Sequence, residues 1–367
     1  MDLGLSEDEE FLAETVRSFT AREGSTDKLV ALQKAASSPP GWRKTMADAG
    51  WAGALVPGEL GGADATALQA AIIAQELGRG PIPGPFLASS VISVLLLRAA
   101  DASAARDSLL KAIAAGDAVV VMVFGDGGAG PAGFRGAADA ITDSGARLST
   151  TVPFVPCAGE ATHFLVPLRA RDGGVELAIV DGRADRVRSR ELTGFLARNF
   201  EVTFDAAPVE AWVACREPEL ARALSQIYLT LAAYSVGGCQ ALLDRCVDYS
   251  RTRVQFGKPI GRFQRVQDHI VELVNALDGA RWAMYEAIWR IDSGRDARAA
   301  AHMTKALASE AYVVCTDAAH KVHGGIGVDP DFGLTLYTQT ARSMYGYLGN
   351  PRWHKRAMAD ALGWAAP

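Results

Sequence analysis

The sequence has no long apolar segment and no surplus of basic charge. Its longest strongly apolar run, VISVLLL from Val91 to Leu97, is far shorter than the ~20 residues that a membrane-spanning helix needs. The 37 lysines and arginines are outnumbered by 42 aspartates and glutamates, so the formal net charge is −5. Proteins dedicated to nucleic-acid binding carry a basic surplus or a basic stripe. The composition therefore argues against a membrane span and against that class of binding protein.

Cysteine is scarce as well, and the few cysteines form no known metal or redox motif. Their number is odd, and no pair shows the CxxC spacing of a zinc or redox site. The acidic start, MDLGLSEDEEF, differs from the basic start of a signal or transit peptide. We therefore expect a cytoplasmic protein with reduced, buried thiols at Cys157, Cys215, Cys239, Cys246 and Cys315.

What the sequence does contain is 49% hydrophobic residues, and their spacing divides the chain into three regions. Residues 1–115 are predicted to be helical, with capping boxes that begin at Ser6 and at Thr66. Residues 116–215 contain short β-branched and alternating runs, which predict a small β domain. These runs are Ala118–Phe124, Thr162–Leu168, Val175–Val180 and Phe200–Phe204.

Residues 216–367 are predicted to form a helical bundle. An apolar stripe at helical spacing runs for about 30 residues from Glu217, where Pro218 suits a first helical turn. Two further helices are predicted over Val266–Ile291 and Arg298–His323. Helices of this length bury one continuous apolar seam when they pack antiparallel.

Gly125–Gly130 spells GxGxxG directly after a predicted strand. A dinucleotide site of this kind needs a helix next, because the N–H groups at the helix start hold the pyrophosphate. Here Pro131, Gly133 and Gly136 would spoil the first two turns. We therefore favour a flexible loop over a dinucleotide site at this motif.

Two pairs of polar residues on the third bundle helix also have structural explanations. His320 and His323 lack a third ligand at matching spacing, so no metal site is predicted. Glu310 and Asp317 share one helical face and could act as acid and base, but carboxylates at that spacing more often form a solvated face. No catalytic residue is identified from these patterns.

The strongest signal comes from two segments that flank the bundle helices. Arg251–Gln264 reads RTRVQFGKPIGRFQ, and Lys321–Gly327 reads KVHGGIG. The first offers arginines for a pyrophosphate, a phenyl ring for a purine and glutamine amides for polar oxygens. The second offers glycines that permit close backbone approach. A phosphate-bearing aromatic cofactor and a plain basic loop are both consistent with these residues.

These two segments, in this order, resemble the acyl-CoA dehydrogenase family. Gly50–Gly62 (GWAGALVPGELGG) and Gln75–Pro85 (QELGRGPIPGP) resemble its N-terminal domain, and the tail from Leu336 is similar to the closing segment of actinobacterial members. The resemblance implies an α+β fold with an N-terminal helical domain, a small middle β-barrel-like domain and a C-terminal four-helix-type bundle. The implied domains are 1–115, 116–215 and 216–367.

The resemblance also implies FAD, a homotetramer or heterotetramer, and α,β-dehydrogenation of an acyl-CoA. Arg253, Phe256 and Gln264 match the residues that hold the pyrophosphate and adenine of an FAD bound chiefly by the neighbouring subunit. Gly324 and Gly325 match the residues that approach the other side of that FAD. No metal is implied.

Several positions depart from the family pattern. The glutamate that acts as base usually lies in a turn near the C-terminus, where this chain has Leu348. The alternative place for the base, on the first bundle helix, is Ile227, and the nearest upstream acid is Glu219. Lys321 replaces the usual glutamine before the Gly-Gly turn. The loop that contacts the flavin ring, VFGDGGAGPAG here, lacks the usual threonine and serine.

A leucine cannot abstract a proton, yet the segment Arg251–Gln264, here named the cofactor arm, is retained. Some actinobacterial members, notably those for steroid side chains, are α2β2 heterotetramers in which one subunit supplies the base. The sequence therefore predicts the subunit that lacks the base, acting on a bulky or branched acyl-CoA. Two alternatives stay open: a flavin-free structural relative, and a flavin-dependent oxidase or oxygenase on the same fold.

Overall fold

The computed structural model describes residues 4–35, 41–82, 84–124, 147–169, 174–194 and 197–364. The N-terminal region is helical, as predicted. Both predicted capping boxes are present: the Ser6 hydroxyl accepts the Glu9 N–H, and Thr66 and Gln69 repeat the exchange. The helices are α1 (Glu7–Glu23), α2 (Thr26–Lys34), α3 (Trp42–Asp48), α4 (Ala67–Gly78), α5 (Val94–Ala99) and α6 (Ala104–Ala114). A π-helical segment, Phe86–Ser93, leads into α5.

The middle region contains two sheets. The first has the order β1-β3-β4-β7, in which β1 pairs parallel with β3 and the other pairs are antiparallel. The second has the antiparallel order β2-β6-β5. The strands are β1 (Val120–Met122), β2 (Arg147–Pro156), β3 (His163–Arg169), β4 (Val175–Asp181), β5 (Val187–Leu192), β6 (Asn199–Pro208) and β7 (Ala211–Cys215).

The middle region is the small β domain that the sequence predicts, and its described strands form separate sheets. Each of the seven described strands pairs only within its own short sheet, so the described residues close no barrel. Alternation along a strand shows which face is buried but not which strands pair, because pairing is a non-local property. β3 pairs antiparallel with β4, and the alternating burial of β6 is as predicted.

The C-terminal region is the predicted bundle. Its helices are α7 (Glu217–Thr252), α8 (Gln264–Asp292), α9 (Arg298–His323), α10 (Leu334–Gly346) and α11 (Pro351–Ala361), and a short hairpin, β8 (Val254–Gln255) and β9 (Lys258–Pro259), joins α7 to α8. The bundle packs directly on α4. A Cβ on Gly78 would lie 2.0 Å from the Tyr234 carbonyl oxygen, and one on Gly237 would lie 1.8 Å from the Gln75 carbonyl oxygen. Only glycine permits this approach.

The described residues bear on two expectations from the sequence, which concern membrane-spanning helices and disulfide bonds. No helix among them is both long and apolar enough to cross a bilayer. The five cysteines are all free, and four of them are buried. The domain boundaries at 115 and 215 stay a prediction, although α6 ends at Ala114 and β7 ends at Cys215.

Candidate functional site

The hairpin between α7 and α8 carries an aromatic side chain at its tip. Phe256 and Gly257 form the two-residue turn, and both have positive φ, at 51° and 78°. Paired positive φ values at a two-residue turn match the twist of the flanking strands. A phenylalanine is unusual in this conformation, and its side chain is 91% exposed. Strain combined with an exposed ring indicates a contact outside the chain.

The predicted cofactor residues of this hairpin lie on its surface. Arg253 and Gln264 are exposed, at the end of α7 and the start of α8. The Lys258 ammonium lies 4.5 Å from the centroid of the Phe263 ring, whose edge-on contact with Phe256 spans 6.1 Å between centroids. These contacts hold the tip in one shape before any ligand arrives.

The glycines after α9 lie at the same end of the bundle. Gly324 has a φ of 64°, and a Cβ on Gly324 or Gly325 would meet no atom within 4 Å. The Lys321 ammonium is 4.0 Å from the Glu272 carboxylate, which joins the end of α9 to the first half of α8. The open backbone therefore leaves room for a flat ligand beside it.

These residues fit the group that the resemblance implies. Exposed guanidinium groups suit a pyrophosphate, and an exposed ring suits a purine face. Arg253, Phe256, Gly324 and Gly325 are exposed to solvent in the single chain. The ligand that they fit would therefore bind on the surface of this chain. GxGxxG at Gly125–Gly130 lies outside the described residues, as does most of the flavin-ring loop.

The two histidines near the end of α9 are structural. His323 stacks on Tyr249 at 4.5 Å between centroids, and its Nδ1 lies 2.8 Å from the Ala319 carbonyl oxygen. His320 Nε2 lies 2.8 Å from Thr338 Oγ1. Burial lowers the pKa of both rings. The described residues contain no group of three potential metal ligands.

A cavity of about 380 Å³ lies where the three regions meet. Its wall is largely apolar and includes Phe86, Met122, Phe124, Phe154, Phe200 and Met344. Phe154 reaches the wall because a register shift between β2 and β6 places it in the left-handed region, with φ at 60°. Sequence reasoning missed this lining, since neither the shift nor the meeting of three regions leaves a local pattern.

The polar groups of the cavity wall are few. The lining residues with polar side chains are Cys157, Glu160, Arg198, Asn199, Tyr234, Thr340, Arg342, Ser343 and Tyr347. Arg198 donates two 2.8 Å hydrogen bonds to Glu191, and these hold the pKa of that carboxyl below its ordinary value. Burial raises the pKa of Cys157 to about 12, so this thiol stays protonated and is a poor nucleophile.

The positions expected for a general base carry none. Leu348 lines the cavity, 6% exposed, with a φ of 57°. Ile227 is fully buried in the core. Glu219 does not line the cavity, although its Oε2 is buried without a hydrogen-bond partner. Among the lining residues that the structure describes, Glu160 alone has a carboxylate.

The predicted solvated face of α9 is confirmed. Glu310 accepts a 2.6 Å hydrogen bond from Lys355, and Asp317 lies 3.6 Å from Arg342. Neither carboxylate lines the 380 Å³ cavity. They are therefore surface groups and not an acid–base pair for this site.

Comparison with known proteins agrees with this architecture. The family models for the N-terminal and C-terminal domains of acyl-CoA dehydrogenase match residues 6–117 and 221–363. Acyl-CoA dehydrogenase IpdE2 of Mycolicibacterium smegmatis is 26% identical over 96% of this chain and 98% of its own. The ChsE4-ChsE5 complex from Mycobacterium tuberculosis contains a chain with a TM-score of 0.89 and 23% identity, and all of both chains is covered.

A third similar protein is PigA, described with FAD and proline. Its TM-score is 0.89 at 23% identity, over 99% of this chain and 100% of PigA. These two structural likenesses show a shared fold. The two family models, which describe the two ends of one kind of protein, together match more than two thirds of the sequence. The chain therefore belongs to the acyl-CoA dehydrogenase family.

Proposed function

We propose that the chain is a subunit of a FAD-dependent acyl-CoA dehydrogenase that oxidises the α,β bond of a bulky or branched acyl-CoA. We further propose that it is the subunit without the general base in a cytoplasmic α2β2 assembly. Its partner would be a second acyl-CoA dehydrogenase-like subunit. The ChsE4-ChsE5 complex provides a precedent on this fold for two different chains in one assembly.

One observation carries the proposal: the chain keeps an exposed cofactor arm while its own cavity has a leucine at the expected base position. Phe256 is nine-tenths exposed, whereas Leu348 is buried in the cavity wall. An arm that reaches outward serves a cofactor held by another subunit. A leucine has no group that can accept a proton.

The residues of the arm have distinct proposed roles. Arg253 binds the pyrophosphate, Phe256 packs on the adenine, and Gln264 donates from its amide. Gly324 and Gly325 let the backbone approach the same group closely. FAD, when bound, supplies the acceptor for the β-hydrogen as hydride. The α-proton is taken by a carboxylate of the partner subunit.

The cavity supports the bulky substrate class. Its wall combines phenylalanine and methionine side chains from all three regions. A broad apolar cavity of about 380 Å³ accommodates rings or branches better than a narrow channel does.

Co-expression with candidate partner subunits of the acyl-CoA dehydrogenase family tests the proposal. We expect the pair to co-purify with FAD and to oxidise a bulky acyl-CoA, whereas the lone chain does neither. Phe256→Ala and Arg253→Ala should reduce the flavin content of the pair, and Arg43→Ala, a matched exposed arginine on α3, should not. Full flavin and full activity in the lone chain would contradict the unequal-subunit assignment.

The same preparation separates the alternatives. A flavin-free structural relative would give pairs without flavin absorbance under every condition. An oxidase or oxygenase would consume oxygen with an amine or nitro substrate in place of acyl-CoA turnover with an artificial electron acceptor.

A further inference from the structure

Lys305 is a buried lysine in the middle of α9. It is 1% exposed, and no acidic group that the structure describes lies within ion-pair distance of its Nζ. The Nζ donates hydrogen bonds to Ser309 Oγ at 2.8 Å and to the Met344 carbonyl oxygen at 2.9 Å. Burial lowers the pKa of this amine to about 7. Burying such a group is costly, so these two contacts need an explanation.

The Met344 carbonyl marks the end of α10. The last four carbonyls of a helix have no N–H partner within that helix. Leu348 has a φ of 57°, so α10 cannot continue through it. Lys305 thus satisfies a terminal carbonyl of α10. The side chains of Met344, Tyr347 and Leu348 all line the cavity, so the point where α10 ends decides where this part of the wall stands.

A second buried group supports the turn that follows, residues 347–349. His354 on α11 is fully buried, and a Cβ on Gly349 would lie 2.8 Å from its Nε2. Its Nδ1 lies 2.9 Å from Nδ1 of His302, and its ring packs against Tyr228 of α7. Burial, together with the charges of Lys305 and His302, lowers the pKa of His354 to about 2. The turn 347–349 therefore lies between the cavity and a buried basic cluster, which consists of Lys305, His302 and His354.

We propose that Lys305 is a positioning residue: by binding the Met344 carbonyl, it holds turn 347–349, and with it Tyr347 and Leu348, in the cavity wall. This inference deepens the proposed function, on which it rests for the identity of what the cavity holds. Lys305 itself does not line the cavity. Its effect on a ligand is exerted through the backbone.

The cysteines provide a reporter that needs no turnover. Cys157 lines the cavity and lies close enough to Tyr347 to influence the pKa of that phenol. Burial keeps the Cys157 thiol protonated and slow to label while the wall is in place, so movement of the wall should speed its labelling. The other four cysteines are buried away from the cavity wall and report opening of the whole fold: Cys215, Cys239, Cys246 and Cys315. Labelling with a small maleimide, quantified for each cysteine by mass spectrometry, separates movement of the wall from global unfolding.

The test compares Lys305→Met with the unchanged protein, both in the lone full-length chain and in the two-subunit assembly. A hydrogen bond from an uncharged amine contributes about 0.5–1.5 kcal/mol, so losing it should raise Cys157 labelling severalfold, up to about tenfold. The labelling rates of the four buried cysteines, Cys215, Cys239, Cys246 and Cys315, should not change. Ser309→Ala, which leaves the Met344 contact in place, should change Cys157 labelling far less. Lys355→Met removes an exposed lysine paired with Glu310 and should have no effect.

Unchanged labelling of Cys157 in Lys305→Met would overturn the proposal. So would an equal rise at all five cysteines, because that pattern shows a purely structural role. If Lys305→Met does not fold, Lys305→Gln keeps a neutral donor on a shorter stem and should give an intermediate Cys157 rate, whereas an unchanged rate again overturns the proposal. Failure of the proposed function is distinct, since it appears as missing flavin or turnover with the labelling pattern intact.

Discussion

At the scale of single residues, Phe256 combines an unfavourable backbone conformation with an exposed aromatic ring. Its φ of 51° is a conformation that glycine adopts freely and phenylalanine does not. Among the aromatic side chains that the structure describes, its ring contacts Phe263, edge-on. Residues of this kind persist when function requires them, so stability and function should respond in opposite directions to their replacement.

We therefore expect Phe256→Gly to leave the free energy of unfolding of the lone chain unchanged or to raise it by up to about 1 kcal/mol. The melting temperature should be unchanged or slightly higher. The same substitution should sharply reduce the flavin retained by the two-subunit assembly. Thermal unfolding and flavin absorbance measure the two effects. Gly257→Ala, which adds strain at the other turn position without removing the ring, is the matched control. Normal flavin content in Phe256→Gly would remove the ring from the cofactor site.

The exposed ring at Phe256 was predictable, but the cavity was not. An aromatic flanked by arginines, lysine and glycine in a loop is a local pattern. Position 348 could be recognised as lacking a base, yet nothing local indicates that Leu348 lines the same cavity as Phe154. That proximity depends on a register shift in one sheet and on how three regions pack. Such long-range geometry is absent from the spacing of residues.

At the scale of secondary-structure elements, the three long bundle helices were predicted to within a few residues. The structure places α9 at Arg298–His323, as predicted, and begins α7 at Glu217. Apolar residues repeated over 26 or more positions give a strong periodic signal, and glycine or proline marks the ends. The contact of α4 with α7 gave no such signal, because it depends on two glycines whose positions meet only after folding.

We expect Gly237→Ala to separate α4 from α7. The new Cβ would lie 1.8 Å from the Gln75 carbonyl oxygen, so the backbones must move apart. Overpacking of this kind costs about 1–3 kcal/mol of unfolding free energy. Gly279→Ala is the matched control, because a Cβ there meets nothing within 4 Å and should stabilise α8 by about 1 kcal/mol. Urea denaturation of the two variants should therefore shift in opposite directions.

The start of α4 gives a second element-scale prediction. The Asp292 carboxylate at the end of α8 accepts the N–H groups of Ala67 and Leu68 at 2.9 and 3.1 Å. Asp292→Ala should cost about 1 kcal/mol of unfolding free energy, the usual loss for a helix cap. Asp292→Asn keeps one oxygen acceptor and should cost less. Equal stability of all three proteins in urea would show that the Thr66 cap alone suffices.

At the scale of the whole molecule, the buried basic cluster links stability to pH. Desolvation lowers the pKa of Lys305 to about 7 and that of His302 to about 4, while His354 is lowered further. Asp360 partly offsets the effect on His302, and the Tyr228 hydroxyl beside His354 is uncharged. At pH values between the folded and the unfolded pKa of each group, the native state binds fewer protons than the unfolded chain. The free energy of unfolding must therefore rise with pH in that range.

For Lys305 this range extends from its folded pKa of about 7 to its unfolded value of about 10.4. Within this range the unfolded chain carries a proton that the native amine has released. Burial of Lys305 therefore lowers the free energy of unfolding progressively as the pH falls through the range, and it has no such effect above it. Relative to Lys305→Met, the unchanged protein should gain up to about 1.4 kcal/mol of unfolding free energy per pH unit across this range. Urea midpoints of both proteins at pH 7, 8 and 9 measure the difference. Parallel curves would show that the buried amine keeps its proton in the folded state. The hydrogen bond to Met344 would then come from a permanently charged ammonium, and it would be stronger than one from a neutral amine.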